Sequence, residues 1–132
     1  MSVDHKINSK SSKSVLIVDD NKMLLGVLSK GFERSGMEVF TADNGLNGWN
    51  LFNSDHIDVV LTDICMPVLD GIELSRRIRN ASPNTTIALM TGAEVDRARE
   101  LLADGIVDHI FLKPFPLDSV CKLLAAEAQI IG

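Results

Sequence analysis

The sequence predicts an α/β domain, a parallel sheet between two layers of helices, and three observations lead there. From Ser14 onward, short apolar runs alternate with stretches whose apolar residues recur at helical spacing. The first, third and fourth runs are almost continuously apolar, as strands covered on both faces are. Polar signals stand where runs end: Asp19-Asp20, Asp63, Thr91-Gly92 and Lys113-Pro114, with Met66-Pro67-x-x-Asp70-Gly71 just past the second. Ligands of an open parallel sheet bind beyond the carboxyl ends of its strands, so these residues outline one acidic site suited to phosphoryl chemistry on a carboxylate.

Taken in order, residues 1–13 are polar, serine-rich and without apolar period, which predicts a loose, disordered tail ahead of a single domain over 14–132. Val15 to Val18 reads as the first strand. Leu24, Val27, Leu28 and Phe32 follow at helix spacing, and Glu38 to Thr41 is the second strand. The second helix is the weakest. Asn44, Gly45, Asn47, Gly48, Asn50 and Asn53 are poor helix formers, so it is expected to be the loosest, with Trp49 as its anchor. Ile57 to Thr62 is the third strand, and the segment after Gly71 the third helix. Thr86 to Met90, Glu94 to Ala103, Val107 to Leu112 and Leu117 to Gln129 complete five strands and five helices. The last helix is expected to place Val120, Leu123, Leu124 and Ala128 on the sheet. Right-handed crossovers then put helices on both faces of a doubly wound (βα)5 three-layer sandwich.

Composition narrows the function classes. A chain of 132 residues, 45% hydrophobic and 23% charged, suits one core burying roughly two thirds of its extended-chain surface. The formal charge of −5, with acidic residues gathered at the expected site, repels a phosphate backbone and argues against direct binding of nucleic acid. Cys65 and Cys121 have neither C-x-x-C nor zinc spacing. A signal peptide and an apolar run of about 18 residues are both lacking, so a soluble, cytoplasmic protein without membrane attachment is expected.

Leu16-Ile17-Val18-Asp19-Asp20, Leu61-Thr62-Asp63-Ile64-Cys65-Met66-Pro67, Asp70-Gly71, Met90-Thr91-Gly92 and Leu112-Lys113-Pro114-Phe115 together resemble the receiver domain of two-component response regulators, over about residues 14–129. The resemblance implies a flavodoxin-like fold with strand order 2-1-3-4-5. It also implies a Mg²⁺ site formed by Asp19, Asp20, Asp63 and the Cys65 backbone carbonyl, with Asp63 as phosphoacceptor. Elementary electrostatics agrees. Aspartates this close could simply cap a helix, but carboxylates ~5 Å apart repel by about 3 kcal/mol per pair at an effective dielectric of ~20. A hard divalent cation with oxygen ligands removes that cost, and Mg²⁺ keeps room for a phosphate oxygen. Lys113, otherwise a plain strand-end lysine, would offset phosphoryl charge, and receivers usually hold the bond before its proline cis. Thr91, otherwise part of a turn, would swing its hydroxyl to a phosphoryl oxygen, with Gly92 leaving room. Met66, Pro67, Asp70 and Gly71 are expected to shape loops and not to do chemistry.

Two positions depart from the pattern. Receivers usually carry Tyr or Phe three residues before the lysine, where ring rotation reports phosphorylation, and here Ile110 stands there. His109 and Phe111 flank it, and the stretch from Gly105 to Lys113 looks one residue long, so a local shift or bulge could restore an equivalent ring. The other departure is Cys65, at a position where the side chain affects access of hydrolytic water. A thiol cannot hold water as an amide or carboxylate would. As a redox sensor it is disfavoured by its acidic surroundings, which raise a thiol pKa.

The function these residues imply is a phosphoacceptor receiver, phosphorylated on Asp63 by a sensor histidine kinase or histidine phosphotransfer protein. It would catalyse only its own phosphorylation and dephosphorylation. A hydrolase of the haloacid-dehalogenase type needs a second aspartate where Cys65 stands. A phosphorylation-independent scaffold is the remaining alternative, kept open by Ile110. Output is expected through a partner, or a homodimer, on the face of the fourth helix, fifth strand and fifth helix. The chain is either a stand-alone regulator, as the tail from Met1 suggests, or part of a longer protein.

Overall fold

A computed structural model describes residues 12–131. Of the tail expected over residues 1–13, residues 1–11 lie outside the described part. The element order is β1 (Ser14–Val18), α1 (Lys22–Arg34), β2 (Glu38–Ala42), α2 (Gly45–Ser54), β3 (Val59–Asp63), α3 (Gly71–Ala81), β4 (Thr86–Thr91), α4 (Val95–Ala103), β5 (His109–Leu112) and α5 (Leu117–Ile131). All five strands are parallel, in the order β2-β1-β3-β4-β5. The flavodoxin-like order expected from the resemblance is therefore present.

Period-two alternation sorts the strand side chains into two cores. Val15, Ile17, Val59, Leu61, Ala88 and Met90 face α1 and α5, while Leu16, Val18, Val60, Ile87 and Leu89 face α2, α3 and α4. β1 is wholly buried and β4 likewise, which is why their sequences are almost continuously apolar. The edge strands β2 and β5 are only half covered, and they carry polar residues.

Two apolar positions differ from expectation. Leu123 turns outward, 43% exposed, and Cys121 and Ala125 join Val120, Leu124 and Ala128 against the sheet instead. Val27 is 44% exposed, and Leu25 takes the inward place on α1. A 3.6-residue period allows neighbouring stripes on one helix, and only the packed partner selects between them. For α5 that partner is α1, where Gly31 leaves room for Cys121: a Cβ there would lie 2.7 Å from Sγ.

Helix α2 shows why glycine propensity misleads in context. A Cβ at Gly45 would run into the Leu69 carbonyl, and one at Gly48 would come within 2.9 Å of Val18. The residues that weaken this helix in isolation are its points of closest packing. Asn44 caps it by accepting the Asn47 amide at 2.8 Å, and half-buried Trp49 stacks on Phe52 with Arg77 6.0 Å above its ring.

Candidate functional site

The carboxyl ends of β1, β3, β4 and β5 bring Asp19, Asp63, Thr91 and Lys113 together, as their positions after apolar runs suggest. Strand pairing carries the alignment past the ladder: the Asp19 amide donates to the Ala42 carbonyl at 3.1 Å and the Lys113 amide to that of Thr91 at 2.8 Å. One carboxylate oxygen each of Asp19, Asp20 and Asp63 lies within 4.8 Å of the others. Asp19 is fully buried, Asp63 intermediate and Asp20 exposed, so the cluster opens to solvent on one side.

The helix-capping alternative for the aspartate pair belongs to another residue. Asn21 caps α1, its side chain accepting the Leu24 amide at 3.1 Å. Asp19 Oδ1 accepts the Asn21 amide at 2.8 Å, which orients the carboxylate. Its Oδ2 accepts from Lys113 Nζ at 2.9 Å, and the same ammonium is 3.5 Å from Asp63 Oδ1. Burial and the nearby Asp19 charge push the Asp63 carboxyl above its ordinary range, only partly offset by Lys113. Burial pulls the Lys113 pKa down, yet its hydrogen bond and ion pairs with Asp19 and Asp63 outweigh this and raise it. Donor chemistry fits a hard divalent cation: three clustered carboxylates, short of positive charge, with Cys65 beside Asp20 at the open side.

The loop from Asp63 to Asp70 is tightly held. The Ile64 amide donates to Asp63 Oδ1 at 2.9 Å, and the Gly71 amide to the Ile64 carbonyl at 2.8 Å. A Cβ at Gly71 would run into the Asp63 carbonyl, so only glycine lets α3 start directly beneath β3. Asp70 caps that helix through the Glu73 amide. Between them Val68 has φ +73°, with the Leu69 amide reaching back to the Pro67 carbonyl, a strained turn for a β-branched residue. The Asp-Gly pair read as a simple turn is thus also the contact that fixes the Asp63 backbone.

Thr91 Oγ1 accepts from the Ala93 amide at 3.2 Å and the Glu94 amide at 2.8 Å. It serves the start of α4, whose cap residue Glu94 makes no such bond with its own side chain. The Lys113–Pro114 bond is cis. Ile110 pairs with Leu89 in unbroken register and packs among the apolar residues of the α4 side. No bulge restores a ring. Phe111 points to the opposite face, stacked on His109 at 5.8 Å and tilted against Phe115 at 6.0 Å. Sequence reasoning missed Glu94 and Arg97, an i, i+3 pair at the start of α4. Their proximity to Thr91-Gly92 was the available signal.

The largest groove lies at the other end of the sheet, around His56, Arg79 and Asp108. Arg79 is occupied there with Asp108 and the carbonyls of Pro83, Thr85 and Ile106. That end braces the fold.

The arrangement of an acidic crevice, a threonine and a lysine at the ends of a five-stranded parallel sheet defines a class, and comparison with known proteins agrees. Residues 15–125 match the response regulator receiver domain, and the chain belongs to that family. It is 39% identical over 117 residues to Regulatory protein AtoC of Escherichia coli, an alignment covering 88% of this chain and 25% of AtoC. It is 33% identical over 110 residues to Sporulation initiation phosphotransferase F of Bacillus subtilis, covering 83% and 88%. Thus the chain spans about a quarter of the first relative and most of the second. Among solved structures, a response regulator receiver domain protein from Clostridium thermocellum superposes with a TM-score of 0.80 at 28% identity, covering 89% of this chain and 94% of that one.

Proposed function

We propose that this chain is a phosphoacceptor of a two-component relay, modified on Asp63 in a Mg²⁺-dependent reaction and signalling through a partner protein. The observation that carries the reading is Lys113 Nζ held between Asp19 at 2.9 Å and Asp63 at 3.5 Å, within a cluster of three carboxylates. A cation poised beside a crowded carboxylate keeps the attacking oxygen ionised and offsets the charge on the transferring phosphoryl group.

In the proposed reaction an Asp63 oxygen attacks the phosphorus of a phosphohistidine. A P–O bond forms, the P–N bond breaks, and the imidazole leaves with the electron pair. Asp19, Asp20, Asp63 and the Cys65 carbonyl would hold Mg²⁺, which supplies positive charge to the transferring oxygens. Lys113 remains to neutralise the product. Thr91 swings its hydroxyl to donate to a phosphoryl oxygen, and that movement draws Oγ1 away from the amides of Ala93 and Glu94. Phosphoryl donors would be a sensor histidine kinase or a phosphotransfer protein, the kinds of protein named among the relatives. A cytoplasmic setting follows from such donors. No helix among the described residues is long and apolar enough to cross a membrane.

A second reading, a receiver-like scaffold that works without phosphorylation, is favoured by one observation, the aliphatic Ile110 in the place of a reporting ring. Intact mass after incubation with acetyl phosphate and Mg²⁺ separates the two. One phosphoryl increment, lost in Asp63→Asn and with EDTA, is expected. No increment from folded, Mg²⁺-bound protein would support the scaffold.

A further inference from the structure

Arg97 stands beside the site with no part in the reaction described above. A notch opens between Asp20 and α4, lined by Cys65, Met66, Asp70 and Arg97. Arg97 Nη1 lies 3.5 Å from Glu94 Oε1, with side chains 53% and 36% exposed, a pairing that water screens heavily. The same few groups act on Cys65: burial, Glu94, Asp63 and Asp70 push its thiol pKa up, and Arg97 opposes them. Arg97 is the cation among the residues that line this notch, which include the acids Asp20 and Asp70, and Cys65 within it stands two residues from Asp63.

Phosphorylation changes the balance of forces there. It replaces the single charge of the ionised Asp63 carboxylate with about 1.5 to 2 negative charges carried farther out on the phosphoryl oxygens, which attract the guanidinium and repel Glu94. The Glu94 amide also loses its acceptor if the Thr91 hydroxyl turns away. A planar guanidinium fork suits phosphoryl oxygens better than a single exposed carboxylate held at 3.5 Å.

We propose that Arg97 is a phosphoryl-binding residue: once Asp63 is phosphorylated, it leaves Glu94, spans the notch over Cys65 and holds a phosphoryl oxygen, covering the side from which water approaches phosphorus. The inference rests on the phosphoacceptor reading of Asp63. Hydrolysis joins the oxygen of water to phosphorus and breaks the bond to Asp63. The electron pair returns to the carboxylate, and both protons of water leave with the phosphate. With Arg97 across that approach, the phosphorylated state lasts longer.

The test loads wild type, Arg97→Gln, Arg97→Lys and Glu94→Gln with acetyl phosphate and Mg²⁺, removes the donor, and follows the phosphoryl mass increment. At low salt Arg97→Gln is expected to lose the increment about threefold faster than wild type, the scale of one partly exposed charge contact. Arg97→Lys should fall between, and Glu94→Gln, which frees Arg97, should decay more slowly than wild type. High salt should bring wild type towards Arg97→Gln. In ¹H–¹⁵N spectra, beryllium fluoride with Mg²⁺ should shift the Arg97 Nε–H resonance. Equal decay of wild type and Arg97→Gln, or an unmoved Arg97 resonance, overturns the role. Absence of any increment in wild type instead overturns the phosphoacceptor reading, and this inference with it.

Discussion

Asp63 shows how one side chain can be costly for the fold and suited to the proposed chemistry. Its carboxyl is pushed above the ordinary aspartate range by burial first and by Asp19 second. The stability linked to its protonated form is complete below the unfolded carboxylate range and is lost as pH rises through the raised folded value. At pH 7 the ionised group therefore burdens the metal-free fold. Asp63→Asn is expected to be more stable there by about 1 kcal/mol, about 4 °C in Tm for a domain of this size. The gain should shrink as pH is lowered through the carboxylate range, and also on adding Mg²⁺. Thermal melts across pH check both signs, and a lower Tm for the variant at pH 7 in chelator would refute the account. Lys113 works in the opposite sense. Its raised pKa keeps its contribution to stability intact until the pH passes through the lysine range, so neutral conditions leave the Asp19–Lys113–Asp63 bridge charged.

At the scale of elements, glycines decide how closely helices approach the site. Gly71 starts α3 against the Asp63 carbonyl, whereas Gly26, in the middle of α1, has open space where a Cβ would go. The same substitution should thus have opposite signs. Gly26→Ala is expected to stabilise by about 0.5 to 1 kcal/mol through helix propensity. Gly71→Ala is expected to destabilise by about 2 kcal/mol or more, because the clash is with backbone that cannot rotate away. Urea titrations of the two variants measure this directly. If Gly71→Ala matched Gly26→Ala, the claim that α3 braces the end of β3 would fall. Helix α4 is held differently, through the Thr91 hydroxyl, so its first turn depends on a group the proposed chemistry draws away.

At the scale of the molecule, that dependence suggests where a signal from the proposed phosphorylation would leave the site. Ile110 lies in the apolar packing of the α4 side, and the rings of His109, Phe111 and Phe115 lie on the other side, with His109 bonded to Glu127 of α5 at 2.7 Å. Amide shifts on phosphorylation are expected to concentrate at residues 91–97 and to be small at 109–112. Shifts as large along β5 as at the start of α4 would show that the edge strand is coupled after all. The exposed Leu112 and Leu123 near Phe115 still offer an apolar surface for a partner or a second copy.

Element types, their order, and the residues at strand ends were all determined by the sequence alone. Apolar period and chain direction are local properties, and a parallel sheet collects strand termini whatever the details of packing. The tertiary structure decided what depends on distant partners. It gave the helix cap to Asn21, which leaves Asp19 and Asp20 to the site, and it turned Leu123 outward in favour of Cys121 against Gly31. It kept β5 in unbroken register, so that no ring replaces Ile110, and it carried Arg97 to the notch beside Cys65. Apart from the Asn21 cap, a local bond to the Leu24 amide, each of these rests on contacts between segments far apart in the chain, and a period read along one segment does not contain them.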